Sequence, residues 1–272
     1  MMIRIYFPSA MGQQKKGVET TSRYLRKIFA TKTDILVKTK NGIPHKTSLK
    51  YNLKNLYLAQ HEVQNIPSIN VGGDHSMAIA TVAASLEKYG PNLKVIWFDA
   101  HGDINTQSTS PSGNFHGMPL AFLTGLDADP KMFPFLSLIP KLKFENILYL
   151  GVRDLDEGET KVIEDKKIKI IRSEEINKDP DAVFKTIRAF VGKSPVHLSF
   201  DVDGIDPVEM PCTGTTAKNG VRTDAIQPIL DNIIKKTNLV NIDITEFNLE
   251  LGNGKEREVS MRNFFKLFHK YL

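Results

Sequence analysis

Six acidic and imidazole side chains are spaced so that they could hold metal ions. Two segments alternate such residues at every second position, and side chains at alternate positions of an extended chain point the same way. A further histidine follows a glycine pair, which lets the backbone turn tightly. The six residues are His75, Asp99, His101, Asp103, Asp201 and Asp203.

Four carboxylate charges match two divalent cations, with two bridging carboxylates shared between them. Oxygen-rich ligation with some imidazole favours Mn²⁺, although affinity alone leaves Zn²⁺, Co²⁺ and Ni²⁺ open. Two such ions, roughly 3.5–4 Å apart, can hold a shared water as hydroxide near neutral pH. The pattern therefore predicts hydrolysis at an electrophilic carbon or phosphorus. Taken singly, Asp103 could be a turn residue and His75 a helix cap, but six such residues together are poorly explained that way.

Short apolar runs precede these polar residues. Apolar residues on both faces of a run are typical of central strands in a parallel sheet. Helical patterns lie between the runs, which predicts an α/β fold of three layers, α/β/α, around a mostly parallel sheet. The predicted strands are residues 3–7, 34–39, 69–71, 95–98, 147–152, 169–172, 197–200 and 239–244, and the predicted helices include 77–89, 179–191 and 223–236.

The polar residues follow the carboxyl ends of the predicted strands, and in a parallel sheet these ends open on one edge, where ligands bind in open α/β folds. Convergence of so many carboxylates there would be strongly repulsive without cations. We therefore expect one site at that edge, built from several strands.

Composition excludes several other classes. The 272 residues carry 36 Lys and Arg against 31 Asp and Glu, a net charge of +5, and a single cysteine. One cysteine forms no internal disulfide, which suits a reducing, cytoplasmic location. The lysines are scattered rather than gathered in a stripe, so no nucleic-acid partner is expected. No apolar run reaches the roughly 20 residues of a membrane helix, so no membrane partner is expected.

Three motifs resemble the metal motifs of the ureohydrolases, the arginase/agmatinase family. They are Gly72-Gly-Asp-His-Ser76, Asp99-Ala-His-Gly-Asp103 and Ser199-Phe-Asp-Val-Asp-Gly-Ile-Asp-Pro207. Four further stretches are similar to arginase in particular. They are Gly12-Gln13 with Gly17-Val-Glu19, Asp103-Ile-Asn-Thr106, Ser112-Gly-Asn-Phe-His-Gly-Met-Pro119 and Arg153-Asp-Leu-Asp-Glu-Gly-Glu159.

The resemblance implies a single catalytic domain over residues 1–272, with an arginase/deacetylase-like fold and two Mn²⁺ ions. By this resemblance His75, Asp99, Asp103 and Asp201 would hold one ion, and Asp99, His101, Asp201 and Asp203 the other. It also implies that a metal-bridging hydroxide converts L-arginine and water into L-ornithine and urea. Asp103 is included among the catalytic residues with His116, which would relay protons, and Glu246, which would pair with the guanidinium group.

Polar loop residues match the family's substrate-binding positions. Asp156 would bind the α-ammonium group, four loop residues would receive the α-carboxylate, and two residues would support them. Ordinary turn hydrogen bonding is the alternative reading of each of these residues. The four are Asn105, Ser110, Ser112 and Asn114, and the supporting two are Glu159 and Thr215.

The sequence leaves two other functions open. The chain could be a different ureohydrolase of the agmatinase or guanidino-acid type, or an inactive homologue that binds arginine. One departure from the family pattern lies in residues 216–224, which lack the usual proline after Thr215 and the usual Gly-Gly-Leu run. The family also implies a homo-oligomer, a trimer or hexamer.

Overall fold

The computed structural model describes residues 2–42, 45–63 and 66–272. Eight strands form one sheet in the order β2-β1-β3-β8-β7-β4-β5-β6, and every described strand pairing is parallel. The strands are β1 (Ile3–Tyr6), β2 (Ile35–Leu36), β3 (Ser68–Val71), β4 (Lys94–Phe98), β5 (Ile147–Leu150), β6 (Lys169–Ile171), β7 (Pro195–Asp201) and β8 (Asn238–Thr245).

Helices connect these strands, as parallel pairing requires. The helices are α1 (Val18–Phe29), α2 (His45–Glu62), α3 (Ala78–Tyr89), α4 (Pro119–Thr124), α5 (Glu157–Lys166), α6 (Ser173–Lys178), α7 (Pro180–Val191), α8 (Thr223–Lys236) and α9 (Gly254–Phe268).

The sheet is buried on both faces, because alternate residues of its central strands enter two separate cores. In β4, Val95 and Trp97 pack with α2, α3 and α4, whereas Ile96 and Phe98 pack with α6, α7, α8 and α9. All four side chains are fully buried, and each contributes roughly 1.5–3 kcal/mol by leaving water. The predicted three-layer α/β architecture is therefore confirmed.

The predicted elements differ from the observed ones mainly at their ends. The predicted helix 77–89 begins as a short 3-10 turn, His75–Met77, before α3. The predicted strand 34–39 is wrong in length, since only Ile35–Leu36 pairs as a strand. Asp34 instead accepts a hydrogen bond from the Thr31 amide and forms an ion pair with Arg4 at 3.0 Å, so it serves the turn before the strand.

Within the described ranges, every helix is too short or too polar to cross a membrane.

Candidate metal centre

The six predicted metal-ligating residues lie at or just after the carboxyl ends of three strands, β3, β7 and β4. In the sheet β7 pairs with β4, and one strand, β8, separates β7 from β3. Asp201 is the last residue of β7, and Asp99 comes directly after β4, which pairs with β7. His75 follows β3 after the turn at Gly72 and Gly73. Their side chains therefore meet at the carboxyl edge of the sheet, as the sequence predicts.

The turn that delivers His75 depends on Gly73. A side chain at that position would collide with the backbone of Ser9, whose carbonyl oxygen also accepts a hydrogen bond from the Asp74 amide at 3.0 Å. The Asp74 carboxylate in turn accepts hydrogen bonds from the Ser76 and Gly12 amides, at 3.0 and 2.9 Å. His75 is thus held in place by contacts on both sides of it in the chain.

The first group of candidate ligands surrounds the His75 ring. Its Nδ1 atom lies 3.0 Å from Asp99 Oδ2 and 2.9 Å from Asp103 Oδ2. The same nitrogen lies 3.0 Å from Asp201 Oδ2. One imidazole nitrogen and three carboxylate oxygens therefore face a common point.

The second group surrounds the His101 ring. Its Nδ1 atom lies 3.3 Å from Asp99 Oδ1 and 3.2 Å from Asp203 Oδ2. Asp99 therefore presents one oxygen to each histidine, which is the arrangement of a bridging carboxylate. Asp201 differs from this, because its Oδ1 atom accepts the Asp203 amide at 2.8 Å while its Oδ2 faces His75.

These donors fit cations better than they fit one another. Although three oxygens lie within 3.0 Å of His75 Nδ1, no partner among the described residues lies in a direction that a ring N–H could use. His75, Asp99, Asp201 and Asp203 are almost completely buried. Such a buried nitrogen, aimed at several carboxylates without a hydrogen bond, is explained by coordination of an ion at their common point.

The pKa values show how unfavourable this cluster is without cations. Burial and then repulsion by Asp203 and Asp99 raise the pKa of Asp201 well above its ordinary value. Burial lowers the pKa of His75, but its three carboxylate neighbours outweigh this and hold it well above its ordinary value. The same balance, with Asp203 and Asp99 as partners, raises the pKa of His101. Protons on these groups would supply the positive charge that two divalent cations could supply instead.

Two residues outside the predicted set support the ligands. The Trp97 ring stacks on the His75 ring at a centroid distance of 4.2 Å, and its Nε1–H donates to Asp99 Oδ2 at 3.0 Å. The Ser199 hydroxyl lies 2.8 Å from His75 Nε2, which leaves Nδ1 to face the carboxylates. Trp97 lies two residues before Asp99, and Ser199 lies two residues before Asp201. This spacing places each side chain on the same side as a predicted ligand and is the signal that could have identified them.

Glu246 and His116 lie beside the cluster and contact each other. His116 Nδ1 is 3.1 Å from Glu246 Oε1, which also accepts the His75 amide at 2.8 Å. Gln13, which the sequence singles out only as part of a motif, donates from Nε2 to Glu246 Oε2 at 2.7 Å. Burial lowers the pKa of His116, but the Glu246 carboxylate, with Asp103 and Asp74, raises it to about 9. In the metal-free protein His116 therefore holds a proton at neutral pH.

All the predicted residues except Asp99 and Asn114 line one cleft of about 220 Å³. Asp99 lies beneath its floor and is completely buried. Asn114 instead lines a neighbouring cleft of about 430 Å³, together with Lys16 and Lys46. The lining residues are His75, His101, Asp103, Asn105, Ser110, Pro111, Ser112, His116, Gly117, Asp156, Glu159, Asp201, Asp203, Thr215 and Glu246.

The polar loop residues on the cleft wall are organised by Asp156. Its Oδ1 accepts the Glu159 amide at 2.9 Å and caps α5, while its Oδ2 accepts Asn105 Nδ2 at 2.6 Å. Burial, with repulsion from Asp103 and Asp156, raises the pKa of Glu159 to about 8. The Ser110 and Ser112 hydroxyl oxygens each accept a backbone amide, so each hydroxyl hydrogen is left to donate elsewhere.

The sequence model of the arginase family matches residues 7–267. The chain belongs to the arginase family. The arginase of Entamoeba histolytica is 32% identical over an alignment of 287 positions, gaps included, which covers 96% of this chain and 94% of that protein. The crystal structure of Entamoeba histolytica arginase in complex with L-ornithine has a TM-score of 0.88 to this chain at 29% identity, covering 98% and 97% of the two chains. Bacillus subtilis arginase has a TM-score of 0.85 at 31% identity over the full length of both.

Membership of the arginase family implies a binuclear metal site, and the two histidine–carboxylate groups are the candidate for it. Within the described residues these groups are His75, Asp99 and Asp103, and Asp99, His101 and Asp203. The predicted resemblance to the ureohydrolases, and to arginase most of all, is confirmed.

The loop at residues 216–224, which departs from the arginase pattern, is anchored by the side chain of Arg153. The Arg153 guanidinium donates to the Ala217 and Lys218 carbonyls at 2.9 and 3.0 Å, and to the Asp203 carbonyl at 2.9 Å. Asp206 accepts the Gly220 amide at 2.9 Å, where a side chain on Gly220 would collide with the Asp206 backbone. The atypical residues are therefore tied to the same turn that carries Asp203.

Proposed function

We propose that the chain is an arginase, a binuclear manganese hydrolase that cleaves the guanidinium group of L-arginine to give L-ornithine and urea. The observation that carries this proposal is the single cleft in which Glu246 and His116 face the two histidine–carboxylate groups. The family and its relatives, including a neighbour solved with L-ornithine, support an arginine-type substrate.

His75, Asp99, Asp103 and Asp201 would hold one Mn²⁺, and Asp99, His101, Asp201 and Asp203 the other. Oxygen-rich ligation with imidazole supports manganese over softer alternatives. When bound, such a pair of ions lowers the pKa of a shared water and so supplies a nucleophile at neutral pH.

Glu246 would hold the guanidinium group. Its carboxylate is almost completely buried, and hydrogen bonds from His116, the His75 amide and Gln13 hold its pKa below the ordinary value although burial raises it. It is therefore ionised at neutral pH. An ionised carboxylate binds a guanidinium through directional, charge-assisted hydrogen bonds, and the acceptor position of Oε2 that Gln13 leaves open would fix the electrophilic carbon in the cleft.

His116 would supply the proton that the departing amine needs. His116 Nδ1 lies 3.1 Å from Glu246 Oε1 on the cleft wall, and in the metal-free protein that carboxylate raises the pKa of His116 to about 9 against the effect of burial. A protonated imidazole beside the leaving group is positioned as a general acid.

The amino-acid end of the substrate would be bound on the opposite wall. Asp156 would bind the α-ammonium group, and the Ser110 and Ser112 hydroxyls would donate to the α-carboxylate. Asn105 and Glu159 would orient Asp156, to which both are hydrogen-bonded. Thr215 is exposed at the edge of the cleft. Asn114 lines the neighbouring cleft, so it would reach the α-carboxylate of the substrate only from outside the substrate cleft.

Urea release with Mn²⁺ from L-arginine, agmatine and 4-guanidinobutyrate tests the proposal. L-Arginine should be hydrolysed with much the highest kcat/KM. Activity on agmatine alone would show a different ureohydrolase, and no turnover in folded, metal-loaded protein would show an inactive arginine-binding homologue.

Asp156→Asn distinguishes an arginase from a ureohydrolase that does not bind an α-ammonium group. Asparagine also caps helices well, so the substitution should keep α5 in place. The KM for L-arginine should rise about tenfold or more, while hydrolysis of 4-guanidinobutyrate, which lacks the ammonium group, should not fall. Glu157→Gln, at the exposed neighbouring position, is the matched control.

The remaining assignments follow from the resemblance. We propose one catalytic domain over residues 1–272, a homo-oligomer that is a trimer or hexamer, and a cytoplasmic location that suits the single, buried Cys212. Sedimentation equilibrium and fractionation of cells test the last two.

A further inference from the structure

Glu246 has an unusual backbone conformation that fixes the point from which its side chain extends. It follows directly after β8 with φ +62°, in the left-handed region that a residue other than glycine rarely adopts. The conformation is fixed by the Glu246 amide, which donates to the Gly73 carbonyl at 3.0 Å, and by the Thr245 hydroxyl, which donates to the same oxygen at 2.9 Å. The backbone thus sets the position of Glu246, and only rotation of its side chain is left to be controlled.

The Glu246 carboxylate receives three hydrogen bonds, and they are divided unequally between its oxygens. Oε1 accepts the His75 amide and faces His116 Nδ1, at 2.8 and 3.1 Å. Oε2 accepts only Gln13 Nε2, at 2.7 Å, among the described residues. Because the terminal torsion of a glutamate side chain has a broad range, two donors on one oxygen do not fix the plane of the group. The Gln13 bond completes that restraint.

Gln13 is itself held where it is. Its side chain belongs to a residue only 4% exposed. On one side, the Gly12 amide donates to Asp74 Oδ2 at 2.9 Å and the Gly12 carbonyl accepts the His116 amide at 3.1 Å. On the other side, the Lys15 ammonium donates to the Gly214 carbonyl. The segment is therefore tied to the cleft wall on both sides of Gln13.

We infer that Gln13 is a positioning residue, whose side-chain amide fixes the plane of the Glu246 carboxylate for the substrate's guanidinium group. The inference rests on the proposed function, in which Glu246 binds that group. A carboxylate oxygen accepts two hydrogen bonds in its plane, so Gln13 occupies one acceptor position of Oε2 and leaves the other for a guanidinium N–H. Gln13 contacts the carboxylate and needs no contact with substrate.

Gln13→Met tests this role, because methionine has a similar length and volume but donates no hydrogen bond. Hydrogen bonds to charged groups are strong enough that the KM for L-arginine should rise about tenfold to a hundredfold. The inhibition constant of L-norvaline, which carries the α-groups on an uncharged chain, should stay within twofold of the wild-type value. Manganese affinity, measured from the electron paramagnetic resonance of free Mn²⁺, should also be unchanged.

Gln14→Met is the matched control, since Gln14 is exposed and lines only the neighbouring cleft. It should leave the KM for arginine unchanged. Gln13→Leu is the second variant: it also donates no hydrogen bond and adds no charge, so the KM should rise as in Gln13→Met.

Two results would overturn the inference. One is a KM for arginine within threefold of the wild-type value in both Gln13 variants. The other is an equal loss of arginine, norvaline and manganese binding, which would give Gln13 only a general structural role. If the wild-type protein released no urea, the proposed function would fail, and calorimetric binding of arginine and norvaline to the metal-free variants would still decide the inference.

Discussion

Replacing Glu246 by glutamine removes one charge and keeps the shape of the side chain. Glutamine retains an oxygen that can accept the His75 amide, and the Gln13 amide can turn to accept from the new NH₂ group, so we expect the fold to persist. The guanidinium of the substrate would then lie against a neutral, buried group. Breaking a buried, hydrogen-bonded charge pair costs about 2–5 kcal/mol, and each 1.36 kcal/mol is tenfold, so kcat/KM should fall about 30-fold to 5,000-fold.

The variant also has a readout that does not depend on turnover. The Glu246 carboxylate is the main group that raises the pKa of His116 to about 9, against the effect of burial. In Glu246→Gln the pKa of His116, followed by NMR of its ring protons in the metal-free protein, should therefore fall below 9.

Urea release from L-arginine measures the catalytic effect, with Glu250→Gln as the control. Glu250 lies four residues further on, is exposed, and lines a different cleft. A Glu246→Gln enzyme with kcat/KM within threefold of the wild-type value would refute the assignment of Glu246 to the guanidinium group.

Three further predictions concern charge and anchoring. Asp201→Asn should weaken manganese binding more than about a hundredfold in a metal titration. It should nevertheless raise the free energy of unfolding of the metal-free protein at pH 8, because the pKa of Asp201 is raised in the folded state. A less stable metal-free variant would contradict this prediction. In metal-free protein, protonated His116 should contribute about 3 kcal/mol to the free energy of unfolding, because its pKa rises from 6.5 to about 9 on folding. This contribution should be complete below pH 6.5 and lost as the pH rises through 9. Denaturant unfolding of the wild type and of His116→Asn measures it, and equal pH profiles for the two proteins would count against it. Arg153→Gln should destabilise the fold by about 2–4 kcal/mol, since the Asp203 and Ala217 carbonyls lose a charged hydrogen-bond donor. A change below about 0.5 kcal/mol in urea denaturation would show that Arg153 does not anchor this loop.

The architecture and the convergence of the candidate metal ligands at one sheet edge were predictable because they depend on a simple alternation. Runs such as 95–98 are apolar on both faces and end directly in Asp99, so the sequence alone indicates both a central strand and the edge to which its polar residues belong. Parallel pairing of β4 and β7 then brings Asp99 and Asp201 together without further information.

The parts that could not be predicted depend on partners distant in the chain. Residues 34–39 read as a strand, but Asp34 is held by Arg4 and by the preceding turn, and the pairing of β2 with β1 ends at Leu36, opposite the last residue of β1. Gln13 is one glutamine in a polar loop, and its contact with Glu246 spans 233 positions. Asn114 belongs to a matching motif, yet the local turn directs it to the neighbouring cleft.

The central claim is that two cations share the carboxylate of Asp99 between His75 and His101. Anomalous diffraction at the manganese edge, from crystals grown with Mn²⁺, tests it most directly. We predict two peaks, roughly 3.5–4 Å apart, each within coordination distance of one histidine Nδ1 and of Asp99. A single peak, or manganese bound away from these side chains in protein that is otherwise folded, would contradict the account.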